Sequence, residues 1–267
     1  MEREGVLQEF WLDEKQNGTC ILHWVGTRKY GEILQRAFLD IACGGIANDA
    51  DARYDFRIAL TGCSSVRVEE IESFLLLLLG RINIHDGLTE CYALDYHKKP
   101  ADGGKLERTL VGKTVRTAKP YDREWNRGSR HAGEVIADWM AEFASAHPAY
   151  ADADLVTSVP PSNPEKDFDL PAFLAEEVAA RLRKPFAPVL VKTRVTRQMK
   201  GIKSIRAKIE NVRGAFRVEG DVEGSSVLLI DDIYHGGHSL NEAAKTLFAG
   251  GADPVFGLVA TKTWREL

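Results

Sequence analysis

Long apolar runs are scarce in this 267-residue chain: the longest, Phe74 to Leu79, is far too short to span a bilayer. The first residues, Met1 to Leu12, are acidic and lack an apolar core, so they do not read as a signal peptide. Cysteine is sparse as well. Cys20, Cys43, Cys63 and Cys91 form no C-x-x-C pair and have no histidine at ligand spacing, which excludes a zinc ribbon. They read as buried or idle thiols, and the expected location is the cytoplasm. No charge of one sign dominates. At a formal net charge of −4, global attraction to nucleic acid or to an anionic membrane is not expected, although local basic segments are a separate matter.

The chain divides at about Leu88. The segment 1–88 contains a strand pattern at Thr19 to Val25 and a helical spacing from Tyr30 to Cys43 (Ile33, Leu34, Ala37, Phe38, Ile41). A second helix is expected over Glu69 to Ile82, with Ile71, Phe74, Leu75, Leu78 and Leu79 on one face. This part reads as an α/β extension of unassigned role. It is either a domain of its own or a wrap around the C-terminal two thirds of the chain. From Asp95 to Arg130 the chain is polar and basic, and Gly103-Gly104 signals a turn, so hairpin and loop are expected there. An amphipathic helix comes next, from Ser129 to His147, with Val135, Ile136, Trp139, Met140 and Phe143 as its apolar stripe.

Beyond this, strands and helices alternate. Strands are expected at Asp154 to Val159, Pro188 to Val191, Val227 to Ile230 and Val255 to Ala260. The helices between them are one capped by Asp169 and one over Ser239 to Ala249 that Gly250-Gly251 ends. Such alternation implies a mostly parallel sheet with helices on both faces.

One turn carries chemistry. In the stretch from Val227 to Leu240 a buried apolar strand runs out to Asp231 and Asp232. Then come His235, Gly236, Gly237 and His238, and a helix opens at Ser239. Ligands of open α/β sheets bind at the carboxyl ends of strands. Glycines let backbone approach a ligand closely, and amides at a helix start form an anion seat. Ser239 with Glu242 suits a capping box. Ionised carboxylates only accept hydrogen bonds, so they suit sugar hydroxyls rather than phosphate. A ribose 5-phosphate fits both halves: hydroxyls on Asp231 and Asp232, phosphate on the amides from His235 to Ser239. The same pattern also suits a strand end with a solvated Asp pair.

This segment resembles the phosphoribosyl pyrophosphate (PRPP)-binding signature of type I phosphoribosyltransferases. From about residue 90 onward the chain is similar to their competence-protein ComF-like branch. Ser158-Val159-Pro160-Pro161 looks like the first-strand loop, and the stretch with Leu174-Ala175 looks like the helix after it. Thr196-Arg197-Gln198, Arg206 and Asn211 to Phe216 look like the approach to the signature strand, and Lys119 with Tyr121 resembles a Lys-Tyr pair. The resemblance implies a type I phosphoribosyltransferase fold over 89–267, with PRPP and Mg²⁺ as ligands and no metal held directly by the protein. On it, Asp231 and Asp232 hold the ribose. His235, Gly236, Gly237, His238 and Ser239 hold the 5-phosphate. Ser158, Val159, Pro160 and Pro161 hold pyrophosphate. The segment Lys192 to Arg213, with Arg194, Arg197, Lys200, Lys203 and Arg206, forms a mobile basic cover. That segment has eight basic residues against one acid, Glu210, as a polyanionic ligand requires. The chain departs from the family in having His235-Gly236-Gly237 where Thr-Thr-Gly is usual, so two phosphate-binding hydroxyls are missing.

The resemblance implies two functions. One is transfer of ribosyl 5-phosphate to a nitrogen acceptor with release of pyrophosphate. The other is a non-catalytic PRPP or nucleotide sensor, partnering a DNA-processing enzyme such as a helicase in a phage-defence or toxin–antitoxin setting. A homodimer fits either. Direct nucleic-acid binding is disfavoured, because aromatic residues are not interleaved among the basic ones.

Overall fold

A computed structural model describes residues 4–15, 18–101, 103–119, 125–163, 168–197 and 201–264. The first part runs β1 (Glu4–Val6), β2 (Glu9–Lys15), β3 (Thr19–Val25), α1 (Lys29–Ala37), β4 (Ala42–Cys43), β5 (Ala47–Asn48), β6 (Phe56–Thr61), α2 (Ser65–Leu78) and β7 (Ile82–Ile84). Then come β8 (Glu90–Pro100), β9 (Leu106–Arg108), α3 (Leu110–Ala118), α4 (Arg127–Ala146), α5 (Pro148–Ala151), β10 (Leu155–Ser158) and α6 (Leu170–Leu182). The last part holds β11 (Leu190–Lys192), α7 (Ile205–Val212), β12 (Phe216–Val218), β13 (Val227–Tyr234), α8 (His238–Ala249) and β14 (Val255–Thr263).

The central sheet has the order β1-β7-β8-β14-β13-β10, with β9 beside β8. Its four strands β8, β14, β13 and β10 are parallel, and β1, β7 and β9 add antiparallel edges. This is the expected α/β architecture. Alternation along β13 shows why it is covered on both sides. Leu228 and Ile230 enter one core with α4 and α6, while Val227 and Leu229 enter a second core with α8. A strand buried on both faces must be apolar at every position, as Val227 to Ile230 is. No helix among the described residues is long and apolar enough to cross a membrane.

Three local expectations shift. The helix expected to reach Cys43 stops at Ala37, because Ala42–Cys43 pairs with β6 as a strand. The helix expected over 69–82 is displaced toward the N-terminus. Ser64 caps it, accepting from the Arg67 amide (3.3 Å), and it ends before Gly80, which sits at φ 74°. The polar stretch from Asp95 does contain a hairpin, β8 with β9, but it also contains α3, capped by Thr109 (3.0 Å from the Gly112 amide). Gly112 is what lets α3 lie flat on the sheet, since a Cβ there would stand 2.1 Å from the His97 carbonyl oxygen. Among the described residues, strand β11 pairs only with β12, antiparallel and apart from the central sheet.

Segment 1–88 contributes to both layers of the molecule. Strands β2, β3, β6, β4 and β5 form an antiparallel sheet. Strands β1 and β7 join the central sheet instead, β7 directly beside β8.

Candidate functional site

The carboxyl ends of β13, β14 and β10 meet at one edge of the sheet, and the turn after β13 opens there. Ile230 pairs with Ser158 and Ile233 with Thr261, so the first-strand loop, the acid pair and the end of β14 are at the same level. The turn and the start of α8, residues 233–240, line a hollow together with Asp231 and Lys208.

Gly237 is the hinge of this turn. It takes the left-handed conformation (φ 72°), and a Cβ there would fall 2.2 Å from the Tyr234 hydroxyl and 2.6 Å from Asn241 Nδ2. Only glycine satisfies both conditions. Gly237, not Ser239, is the N-cap of α8, and no side chain caps that end. The expected capping box does not form, because Ser239 already lies inside the helix and Glu242 accepts from the Gly214 amide (2.6 Å). The consequence favours a ligand. Among the described residues no protein acceptor takes the amides of Gly236, Gly237, Ser239 or Leu240. Four donors at a helix start, in a hollow, form an anion seat.

Behind the seat lies a set of residues with no signature in the sequence. Asn241 accepts from the Gly87 amide (2.7 Å) and donates to the Gly237 carbonyl (2.9 Å). Asp86, in the loop after β7, accepts from the Leu88 amide (3.3 Å) and lies beside the side chains of Tyr234 and Asn241. Burial pushes the Asp86 carboxyl up to about 6, against the opposing pull of the Leu88 amide bond and the neighbouring polar side chains. The loop between β7 and β8 is thus tied to the turn after β13 across a gap of 154 residues, Gly87 to Asn241.

The two acids do not face the same way, since neighbouring residues on a strand point to opposite sides. Asp231 faces the hollow. Asp232 is buried and forms an ion pair with Lys119, the residue that ends α3. Burial, reinforced by the adjacent Asp232, pushes the Asp231 carboxyl well above the usual range. Lys119 is thus held beside the acid pair; its expected companion Tyr121 lies outside the described residues.

Other expected site residues are placed less directly. Val159 already donates its amide to the Ile230 carbonyl (3.0 Å), and Pro160 and Pro161 have no N–H. Of the four residues expected at pyrophosphate, Ser158 alone brings a side-chain donor, and it is buried. The basic segment docks on this loop through the Thr196 amide and the Ser162 carbonyl (3.2 Å). Arg197 is tied through its backbone to Asn211 (3.0 and 2.9 Å), and Arg194 donates to the Arg213 carbonyl (3.0 Å). Arg194, Arg197, Lys203 and Arg206 are exposed, and Lys200 lies outside the described residues. The residue of this segment that enters the hollow is Lys208. His235 holds Thr263 at the hollow's rim (2.8 Å). Among the described residues no group of three histidines, cysteines or acids could hold a metal ion.

No protein-family model matches the sequence, and no curated protein matches it. Solved structures do. One is the glutamine PRPP amidotransferase of B. subtilis complexed with ADP and GMP, with 17% identity and a TM-score of 0.39 over 91% of this chain; the chain spans 46% of that enzyme. A second is the adenine phosphoribosyltransferase of Trypanosoma brucei in complex with AMP, pyrophosphate and ribose-5-phosphate (15% identity, TM-score 0.36, 65% of this chain and 83% of that one). A third is the orotate phosphoribosyltransferase of Aeropyrum pernix (18% identity, TM-score 0.34, 61% and 72%). The likeness is to phosphoribosyltransferases at TM-scores below 0.5, and what the site does has to be reasoned from its own geometry.

Proposed function

We propose that this chain binds PRPP at the end of β13 and transfers its ribosyl 5-phosphate to a nitrogen acceptor, releasing pyrophosphate. One observation carries the reading: four uncommitted amides and a carboxylate, Asp231, open into the same hollow at a strand's carboxyl end. The amides suit the 5-phosphate. Asp231 suits a ribose hydroxyl, to which a protonated carboxyl donates and an ionised one accepts.

In the reaction the bond from the ribosyl anomeric carbon to pyrophosphate breaks, and its electron pair leaves on pyrophosphate. The acceptor nitrogen supplies the pair for the new bond and gives up its proton to solvent. The protein's part is positioning and charge stabilisation. The donors at residues 231 and 232 are oxygens, which suit a hard cation that keeps its waters. Mg²⁺ arriving with PRPP would neutralise charge on the leaving group.

A second reading is favoured by the first-strand loop, whose Val159 amide is spent and whose prolines offer none. On this reading the chain binds PRPP or a nucleotide without turnover and reports that state to a partner such as a DNA-processing enzyme. Calorimetry with PRPP and Mg²⁺ tests what the two share. Wild type is expected to bind, Asp231→Asn to weaken binding, and the double variant Asp231→Asn/Asp232→Asn to abolish it. Retained binding in the double variant would remove the site. Pyrophosphate release in the presence of nucleobases and amines then separates transferase from sensor.

A further inference from the structure

Helix α7 buries Val212 at its end but leaves both of its isoleucines out. Ile205 and Ile209 are 61% and 42% exposed, and Arg206, Ala207 and Glu210 are exposed as well. In the run from Lys203 to Glu210 the one residue withdrawn from full exposure is Lys208, which is half-buried. A surface helix ordinarily buries its apolar face and leaves lysine in water. Here the isoleucines are left out, and Lys208 is drawn in on the same face as the buried Val212, four residues on, where it meets the hollow.

The helix is held in that pose at both ends. Ser204 caps its start, accepting from the Ala207 amide (3.4 Å). Just past its end the Gly214 amide donates to Glu242 of α8 (2.6 Å). The acid of α7, Glu210, is taken by Arg213 (3.1 Å). Lys208 lines the hollow with the turn and the start of α8. The turn brings amides, but residues 235–239 include no lysine or arginine.

We infer that Lys208 is a binding residue for the 5-phosphate, supplying from α7 the fixed cation that the turn itself lacks. The assignment rests on the proposed ribose-phosphate site. It differs from a role for the basic segment over the leaving pyrophosphate, because Lys208 sits at the amide seat. An ammonium has three rotatable donors on a flexible stem, so it can meet a phosphate from above while the amides meet it from below.

Titration calorimetry with ribose 5-phosphate and with PRPP tests the inference on wild type, Lys208→Met and Lys208→Arg. Lys208→Met should weaken both ligands by a similar factor, roughly 10- to 100-fold, the value of one charge-assisted bond. Lys208→Arg should restore most of the affinity. Thermal melting of each variant checks that the fold is unchanged, as expected for a side chain outside the cores. Weakening of PRPP alone would place Lys208 at pyrophosphate and overturn the inference, as would unchanged binding of both ligands. Failure of wild type to bind either ligand would instead bring down the site as a whole, and the role of Lys208 with it.

Discussion

A carboxyl group at the end of a buried strand gives up hydration, and Asp231 does so next to a second acid. Burial and Asp232 together push its titration well above the usual range. A group whose folded-state value is raised contributes most below its unfolded value, near pH 4. That contribution is lost as pH rises toward the folded value. Asp86, pushed up to about 6, acts in the same direction over the window from about pH 4 to 6. Asparagine at 231 removes one of these two liabilities. Asp231→Asn should match wild type in stability near pH 4 and exceed it increasingly as pH rises above that, since Asp86 is common to both proteins and cancels in the difference. Urea titrations at a series of pH values read this directly. A variant less stable than wild type at pH 8 would show that Asp231 is held by interactions favouring its charge, contrary to its placement. The expected pairing, a more stable protein with weaker ligand binding, is the mark of a residue kept for function.

At the scale of elements, three ends meet at Glu90, the first residue of β8. His147, between α4 and α5, lies 2.9 Å from one of its oxygens, and Arg36, in the last turn of α1, donates to the other at 2.9 Å. Burial pushes the Glu90 carboxyl up, but the two partners outweigh it and hold it below its ordinary value. Its contribution is therefore present above the unfolded value and is lost as pH falls through the folded one. Removing one member of a buried ionic cluster typically costs about 3–5 kcal/mol. Glu90→Ala should lose that much at pH 7 and less under acid conditions, and equilibrium unfolding by urea checks it. A loss below about 1 kcal/mol would mean that the cluster is as weak as a surface pair. Such a junction is invisible in sequence, because its members are 54 and 57 residues apart with no shared motif. The features legible in the sequence are local. Strand β13 reads from an unbroken apolar run, α6 from Asp169 and Pro171, and the turn from its glycines. Helix α3 is hidden because its glycine and threonines argue against a helix, whereas Gly112 is there for contact with β8. Lys208 is hidden for the opposite reason: a lysine on a polar helix looks like solvent-facing surface until the fold turns it inward.

On the scale of the whole molecule, segment 1–88 and the remainder share their interior. Leu22, Trp24, Ile71 and Phe74 lie in the same core as Val115, Ile136, Met140, Leu228 and Leu258. The Phe74 ring packs edge-on against His147 at 5.0 Å. In the central sheet, β7 hydrogen-bonds β8 across the boundary expected at residue 88, and β1 extends the sheet beyond β7. The turn after β13 depends on this segment too, since the Gly87 amide bonds Asn241 and Asp86 lies beside Tyr234. Cores that interpenetrate in this way unfold together, because neither half retains its buried apolar area alone. Scanning calorimetry of the full chain should show one transition, with the calorimetric enthalpy equal to the van't Hoff enthalpy. A chain beginning at residue 89 should expose the β8 edge and the α4 face and aggregate rather than fold, even with PRPP present. Two resolved transitions, or a soluble 89–267 fragment that binds PRPP, would instead make the first segment a separable accessory, and the bond from Gly87 to Asn241 would then be dispensable for binding.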